Sequence, residues 1–487
     1  MTAFAPAARL AQARESVRRA PGEMMGLIFV CGLVLSSAVA VAIMGPWALA
    51  VPLYVGLLAC AIIAPERAAL MLLTLAIAFE PGAIDISKPV SAVLYQMPPG
   101  FTKPFGLTMT PVEALTALIA LSLLLHSRPQ SQARSRLPLL VYLAPAVLIT
   151  GFLYGLRKGS QLNIGYEEAR GLLFGMCAFF IAWRLAPAPS PAWPKAFFAG
   201  TSLLAGVVLV RYFTVTAAGT SSVPLEFAYA HEDAVFLAIG CLTAGALFLR
   251  ARSRSARFWL TLYCLLELGA LFATGRRAGT LVLIVGALVA AWLTFRHRPR
   301  LVIAIGLPAL LVTTAYLGVY WNKQYGTLAQ PARAIRSQFS PNARDLSSDV
   351  YRQMETFDVV QTLRGNRIFG VGFGREFIQY QPLPSLTSFW PLQSFTPHEN
   401  TLWLWLKGGV FGAAVFLGIW VLAFKRCLIA IRSRSETWVL PMVLASVLTM
   451  YLAYAGVDQG LVASRSVSLL AVALALCFSL RLEGDAL

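Results

Sequence analysis

The chain has 487 residues, of which 58% are hydrophobic and only 13% charged, and its mean hydropathy is +0.69. Ordinary soluble domains are about 25% charged, so a soluble globular fold is excluded. The formal net charge of +18 would suggest a nucleic-acid partner in a soluble protein; here it reads as Lys and Arg gathered on cytoplasmic loops.

Apolar runs of about 20 residues serve a bilayer rather than a soluble core. In hydrocarbon each backbone N–H and C=O must be paired within the segment, which selects helices. Arg9, Arg14, Arg18 and Arg19 precede the first run, which starts near Met24. At about 20 residues it reads as an uncleaved span, although small residues from Ala38 to Ala42 resemble a signal-peptide cleavage site. Spans are then predicted at 24–43, 47–64, 68–84, 108–126, 137–155, 169–186, 195–213, 229–249, 257–274, 278–295, 301–320, 400–424, 437–456 and 464–481. The expected fold class is all-α: a polytopic membrane protein of about fourteen transmembrane helices with one large, partly helical loop.

Charge orients these spans. With the basic N-terminus inside, the basic loops His126 to Arg136, Arg250 to Arg257, Arg296 to Arg300 and Lys425 to Arg434 also fall inside. Both termini are then cytoplasmic. The chain divides into a cytoplasmic segment 1–23, spans over 24–320, an outer loop 321–399, spans over 400–481 and a cytoplasmic tail 482–487. A bare loop as long as 321–399 is improbable, so an ordered cap is expected. None of the seven cysteines falls in an outer loop or in a metal-like spacing, so no structural disulfide is expected.

Arginines on the outer side are the informative exceptions. Ala273-Thr-Gly-Arg276-Arg277-Ala-Gly279 is a short outward turn with two adjacent guanidinium groups. They read either as interfacial snorkelling residues or as an anion clamp, since the planar fork of Arg matches phosphate oxygens. At headgroup level such a clamp suits a lipid-linked diphosphate. Arg170 follows Glu167-Glu168, where a local ion pair is an equal explanation, and Arg211 ends the seventh span. The outer loop adds Arg352 on a stretch with helical spacing. The glycines of Phe369-Gly-Val-Gly-Phe-Gly374 lack the strand-to-helix setting of a nucleotide loop and read as a tight turn against the bilayer surface.

The loop closes on Pro397-His398-Glu399-Asn400-Thr401. His398 reads either as a capping histidine or as a general base for a hydroxyl proton. Trp390 is a candidate sugar-stacking residue, although Trp is also usual at membrane interfaces. His231-Glu232-Asp233 opens another outer helix; a metal site with His398 and Glu399 is conceivable, but no ligand spacing supports it. Asp458 is a further outer carboxylate, and Glu267 lies mid-span, as a transporter would require.

Three features together resemble the O-antigen ligase and polymerase superfamily: the Gly275-Arg276-Arg277-Ala-Gly279 turn, Arg352 followed by Phe369-Gly-Val-Gly-Phe-Gly374, and Pro397-His398-x-Asn400-x-Leu402 leading into Gly408-Gly409. They span roughly 229–424 in the expected order. In the family Asn directly follows His; here Glu399 intervenes, placed either to raise the pKa of His398 or to replace Asn in packing. Arg276 and Arg277 compete for the family arginine. The resemblance implies a metal-independent glycosyltransferase without cofactor in the bacterial inner membrane. Its donor is an undecaprenyl-diphosphate-linked glycan, its acceptor lipid A-core or a second lipid-linked glycan, and its active site faces the periplasm. His398 is then the catalytic residue. Arg276, Arg277, Arg352, Arg211 and Arg170 bind diphosphate, and Glu399, Asn400 and Trp390 contact sugar or acceptor. The alternative is a flippase or transporter of lipid-linked glycans.

Overall fold

The structure, a computed structural model, describes residues 50–83, 87–96, 107–125, 137–185, 192–216, 229–296, 298–323, 326–387, 390–432 and 438–480. The predicted span 24–43 and both terminal segments lie outside these. Among the described residues there are sixteen α-helices and no strand. In chain order they are α1 (Ala50–Ile63), α2 (Pro65–Ala78), α3 (Lys88–Tyr95), α4 (Pro111–Leu125), α5 (Leu139–Arg157), α6 (Leu162–Leu185), α7 (Ala192–Arg211) and α8 (His231–Arg250). The second half holds α9 (Arg254–Ala273), α10 (Arg277–Phe295), α11 (Pro299–Tyr320), α12 (Gln330–Arg336), α13 (Ala343–Gly365), α14 (Asn400–Arg432), α15 (Val439–Ala455) and α16 (Ser464–Phe478).

The protein is an all-α multi-pass membrane protein. Seven helices, α5, α7, α8, α9, α10, α11 and α14, are long and apolar enough to cross a bilayer. Shorter apolar helices occupy the predicted spans at α1, α4, α15 and α16. α6 is 24 residues long but carries Glu167, Glu168, Arg170 and Arg184.

Helix α8 is the centre of the bundle. Every residue from Glu232 to Leu242 is buried, as befits a helix that is apolar all round. α9, α10, α7 and α15 surround it. α11 is as apolar, yet none of its residues is buried. It stands at the rim against α10, with its sides left to lipid.

The glycine-rich turn does not lie on the bilayer surface as expected. Gly370, Gly372, Phe373 and Gly374 are buried, wedged between α5, α6 and α14. Phe373 N donates to Gly151 O at 3.2 Å and Val371 N to Leu406 O at 2.7 Å. Two conditions make room for this wedge. Gly370, Gly372 and Gly374 all take positive φ, of 67°, 86° and 74°, a region that costs other L residues steric strain. α14 also breaks at Gly409 (φ 65°, ψ −168°), and the freed Val410 N–H donates to Ile368 O at 3.1 Å. A helix break at this depth is tolerated because the loop backbone supplies the missing partner.

One buried ion pair locks the wedge. Lys407 Nζ lies 2.9 Å from Glu168 Oε1, and both side chains are fully buried. The same carboxylate accepts from Trp403 Nε1 at 2.9 Å and from Gly374 N at 2.6 Å. Lys407 also donates to Arg375 O at 2.5 Å. α6, α14 and the turn thus meet on one carboxylate that accepts from three donors. Breaking such a pair from one side costs about 3–5 kcal/mol, because the remaining charge is stranded. Lys407→Met is therefore expected to lower the Tm of the detergent-solubilised protein, with Glu168→Gln/Lys407→Met losing less. A single variant as stable as the original would show that the pair does not hold the turn.

Candidate active site

The loop-bearing end of the bundle is tied together by charge. Arg465, at the start of α16, is 4% exposed. It donates to Glu232 Oε1 at 3.2 Å and Asp233 Oδ1 at 2.9 Å. It also reaches Ala76 O at 2.7 Å and Ile77 O at 3.0 Å, at the end of α2. Glu232 and Asp233 sit in the first turn of α8, where the helix dipole favours acids. The metal alternative loses its ligands here, since both carboxylates are bound to Arg465.

His231, the first residue of α8, turns the other way. Its Nδ1 bonds Asp458 Oδ2, from the turn between α15 and α16. Its Nε2 faces Arg276 Nη1 at 2.8 Å, and Arg276 Nη2 donates to Tyr229 O. A ring nitrogen facing a guanidinium N–H must offer a lone pair, so His231 carries its proton on Nδ1 and is neutral. Asp458, His231 and Arg276 form a chain that aims one guanidinium. Burial pushes the Asp458 carboxyl up, but the hydrogen bond from His231 and the charge of Arg352 oppose it, and the carboxyl stays well below the carboxylate range. Burial lowers the pKa of Arg276, and Asp458 is the foremost of the groups opposing that shift.

The long loop contributes the other half. α13 is started by Asn342, whose side chain accepts from Asp345 N at 2.8 Å. The helix is moored to α10 by Arg277, which lies 3.7 Å from Asp345 Oδ1 and 3.6 Å from Asp349 Oδ1 and donates to Ser337 Oγ at 3.2 Å. This mooring presents Arg352 and, one turn on, Glu355. Arg352 makes no ion pair with the described residues, and its charge acts on Asp458. Glu355 accepts from His398 N at 2.7 Å and lies 3.0 Å from His398 Nδ1. Trp390 and Tyr351 stand edge-on to the His398 ring, at 5.1 and 5.7 Å between centroids.

The sequence-predicted residues therefore separate. Arg276 is tied to Asp458 through His231, Arg352 and His398 lie within electrostatic reach of Asp458, and Trp390 stands beside His398. Arg277 is engaged by the loop carboxylates. Arg170 pairs with Glu167 at 2.8 Å and Glu113 at 3.7 Å. Arg211, 1% exposed, pairs with Glu80 beneath Tyr229. Glu399 does not touch the His398 ring; it caps α14 by accepting from Leu402 N at 3.1 Å. Asn400 is fully buried, with its amide committed to Pro397 O at 3.0 Å and Leu461 N at 2.7 Å. It thereby ties the start of α14 to the turn that carries Asp458. Glu267 is buried between α8 and α9, where a Cβ on Gly240 would lie 3.1 Å from its carboxyl carbon. Glu355 and Tyr351 were missed. Their spacing from Arg352 on one helix was legible; their meeting with His398 was not.

Residues 260–417 match the family model described as O-antigen ligase. This segment holds Arg276, Arg277, Arg352, the glycine turn and His398, so the resemblance read from these motifs is borne out. No curated protein matches the chain. The match covers about a third of the chain and lies within a multi-pass membrane protein.

The depressed Asp458 carboxyl gives a pH test. A carboxyl whose folded pKa is lowered contributes stability above its unfolded value of about 3.9, lost as pH falls towards the folded value. The stability gap between the original protein and Asp458→Asn is therefore expected to hold from about pH 7 to pH 5 and to shrink below about pH 4. Tm measured across that range checks it, and a gap that stays constant to pH 3 would contradict the ionised cluster.

Proposed function

We propose that this protein is a metal-independent glycosyltransferase of the O-antigen ligase or O-antigen/exopolysaccharide polymerase type. It moves a glycan from an undecaprenyl-diphosphate donor to lipid A-core or to a second lipid-linked glycan. The bundle lies in the bacterial inner membrane, with the 321–399 loop and the active site at the periplasmic face and both termini in the cytoplasm. The observation that carries this reading is a guanidinium aimed by a buried carboxylate–histidine pair, Arg276 on His231 and His231 on Asp458, at the end of the bundle to which the loop brings Arg352 and His398. Two guanidinium groups and a histidine at one end of an apolar bundle match a diphosphate leaving group and a hydroxyl nucleophile.

The acceptor hydroxyl oxygen attacks the anomeric carbon, and the bond from that carbon to the diphosphate oxygen breaks. Charge then develops on the diphosphate. Arg276, aimed by His231, and Arg352, free of protein partners among the described residues, stabilise it through charge-assisted hydrogen bonds. His398 takes the hydroxyl proton as general base. A single in-line displacement inverts the anomeric centre. Trp390 offers the sugar an aromatic face beside His398. Arg277 contributes by mooring α13.

The test is reconstitution with a lipid-diphosphate-linked glycan and candidate acceptors, without added nucleotide or metal. Removing one preorganised donor costs about 10²–10³ in kcat, so Arg276→Ala and His398→Ala are expected to lose at least that much while remaining folded. Arg277→Ala is expected to lower Tm more than turnover. Undiminished transfer by the His398 and Arg276 variants would refute the site. Passage of the lipid-linked glycan across the bilayer without transfer would support a flippase instead.

A further inference from the structure

His398 is held from one side only. Glu355 is 1% exposed at its side chain and grips both the backbone N–H of His398, at 2.7 Å, and its Nδ1, at 3.0 Å. An ionised carboxylate only accepts hydrogen bonds, so Nδ1 must carry a proton. The neutral imidazole then has its lone pair on Nε2, away from Glu355. The ring is also fixed laterally. Gln393 donates to Tyr351 Oη at 2.8 Å and to Pro384 O at 2.7 Å, and accepts from Leu386 N at 2.6 Å. These bonds brace Tyr351 and tie Pro384 and Leu386 to Gln393, three residues beyond Trp390. Among the described residues His398 therefore has Nδ1 engaged by Glu355 and Nε2 without a hydrogen-bond partner.

The site's other histidine differs. His231 has Nδ1 on Asp458 and Nε2 on Arg276, leaving neither nitrogen for substrate. The two carboxylate–histidine pairs divide the work: one steers a cation, the other a base.

We infer that Glu355 is a positioning residue for the transfer reaction, holding His398 with Nε2 presented to the acceptor hydroxyl and stabilising the imidazolium formed when the proton arrives. This rests on the glycosyltransferase reading above. The proton moves from the acceptor hydroxyl to Nε2 as the new glycosidic bond forms. Glu355 keeps its hydrogen bond to Nδ1–H throughout and takes no proton. A carboxylate behind a catalytic imidazole serves this purpose wherever a nucleophile, a base and an orienting group are aligned.

The experiment compares Glu355→Gln, Glu355→Asp, His398→Ala and Glu355→Gln/His398→Ala in the reconstituted full-length protein. Glu355→Gln is expected to lower kcat about 100-fold or more with KM changed less than about threefold, since Glu355 does not touch substrate. Glu355→Asp keeps the charge and is expected to recover part of that loss. In the His398→Ala background, Glu355→Gln is expected to cost nothing further, because a residue acting only through His398 has nothing left to position. Full turnover by Glu355→Gln, equal losses for Gln and Asp, or additive losses in the double variant would each overturn the inference. Should Glu355→Gln not fold, the Asp variant and Glu355→Asp/His398→Ala read the same non-additivity. If His398→Ala itself transfers normally, the parent reading fails; if it is inactive while Glu355→Gln is active, only this inference fails.

Discussion

A carboxylate buried at the end of an apolar bundle stays ionised only where cations and hydrogen-bond donors surround it. Asp458 meets that condition and in doing so organises the site. It holds His231 at the start of α8 and through it Arg276 from the turn before α10, within electrostatic reach of Arg352 from the long loop and His398 from the segment before α14. These groups come from four stretches of chain with little else in common. Held at one point, they form an electropositive site around a fixed negative centre. That arrangement suits an anionic ligand that must be bound and then released.

The surrounding structure keeps those pieces from drifting. Arg465 gathers the ends of α2 and α8 at the head of α16, and Arg277 moors α13 to α10. The Glu168–Lys407 pair clamps the glycine turn between α6 and α14 and so fixes the path from α13 to His398. Each tie is a buried or half-buried charge with its partners in place. In hydrocarbon the penalty for an unpaired charge is severe, so such ties specify geometry strongly. The same reasoning separates the arginines: Arg170, Arg211, Arg277 and Arg465 have carboxylate partners, and on the proposed reading Arg276 and Arg352 are the ones that meet the ligand.

The helix break at Gly409 and the positive-φ glycines of the turn belong to one device. A span that breaks exposes polar backbone, and a loop that enters a bundle brings its own. Here each meets the other, through Val410 N to Ile368 O and Val371 N to Leu406 O. Glycine is required because a Cβ on Gly372 would lie 2.5 Å from Gly155 N, and one on Gly409 would lie 2.0 Å from Ile368 O.

By itself the sequence determined the all-α membrane class, the places of the apolar helices among the described residues, the helical character of the long loop and the motif segments that belong together. These follow from local quantities: apolar run length, the unmet backbone groups of a chain in lipid, and the few residues whose charge breaks the loop pattern. Only the tertiary structure separated the partners of Arg276 and Arg277, which are adjacent in sequence but turn to different sides. Only it replaced Glu399 with Glu355 as the carboxylate on His398. A residue one position away along an extended approach to a helix faces elsewhere, whereas one 43 positions upstream is brought into contact by the docking of α13. Pairing across such distances depends on how whole helices pack, and no local pattern encodes it.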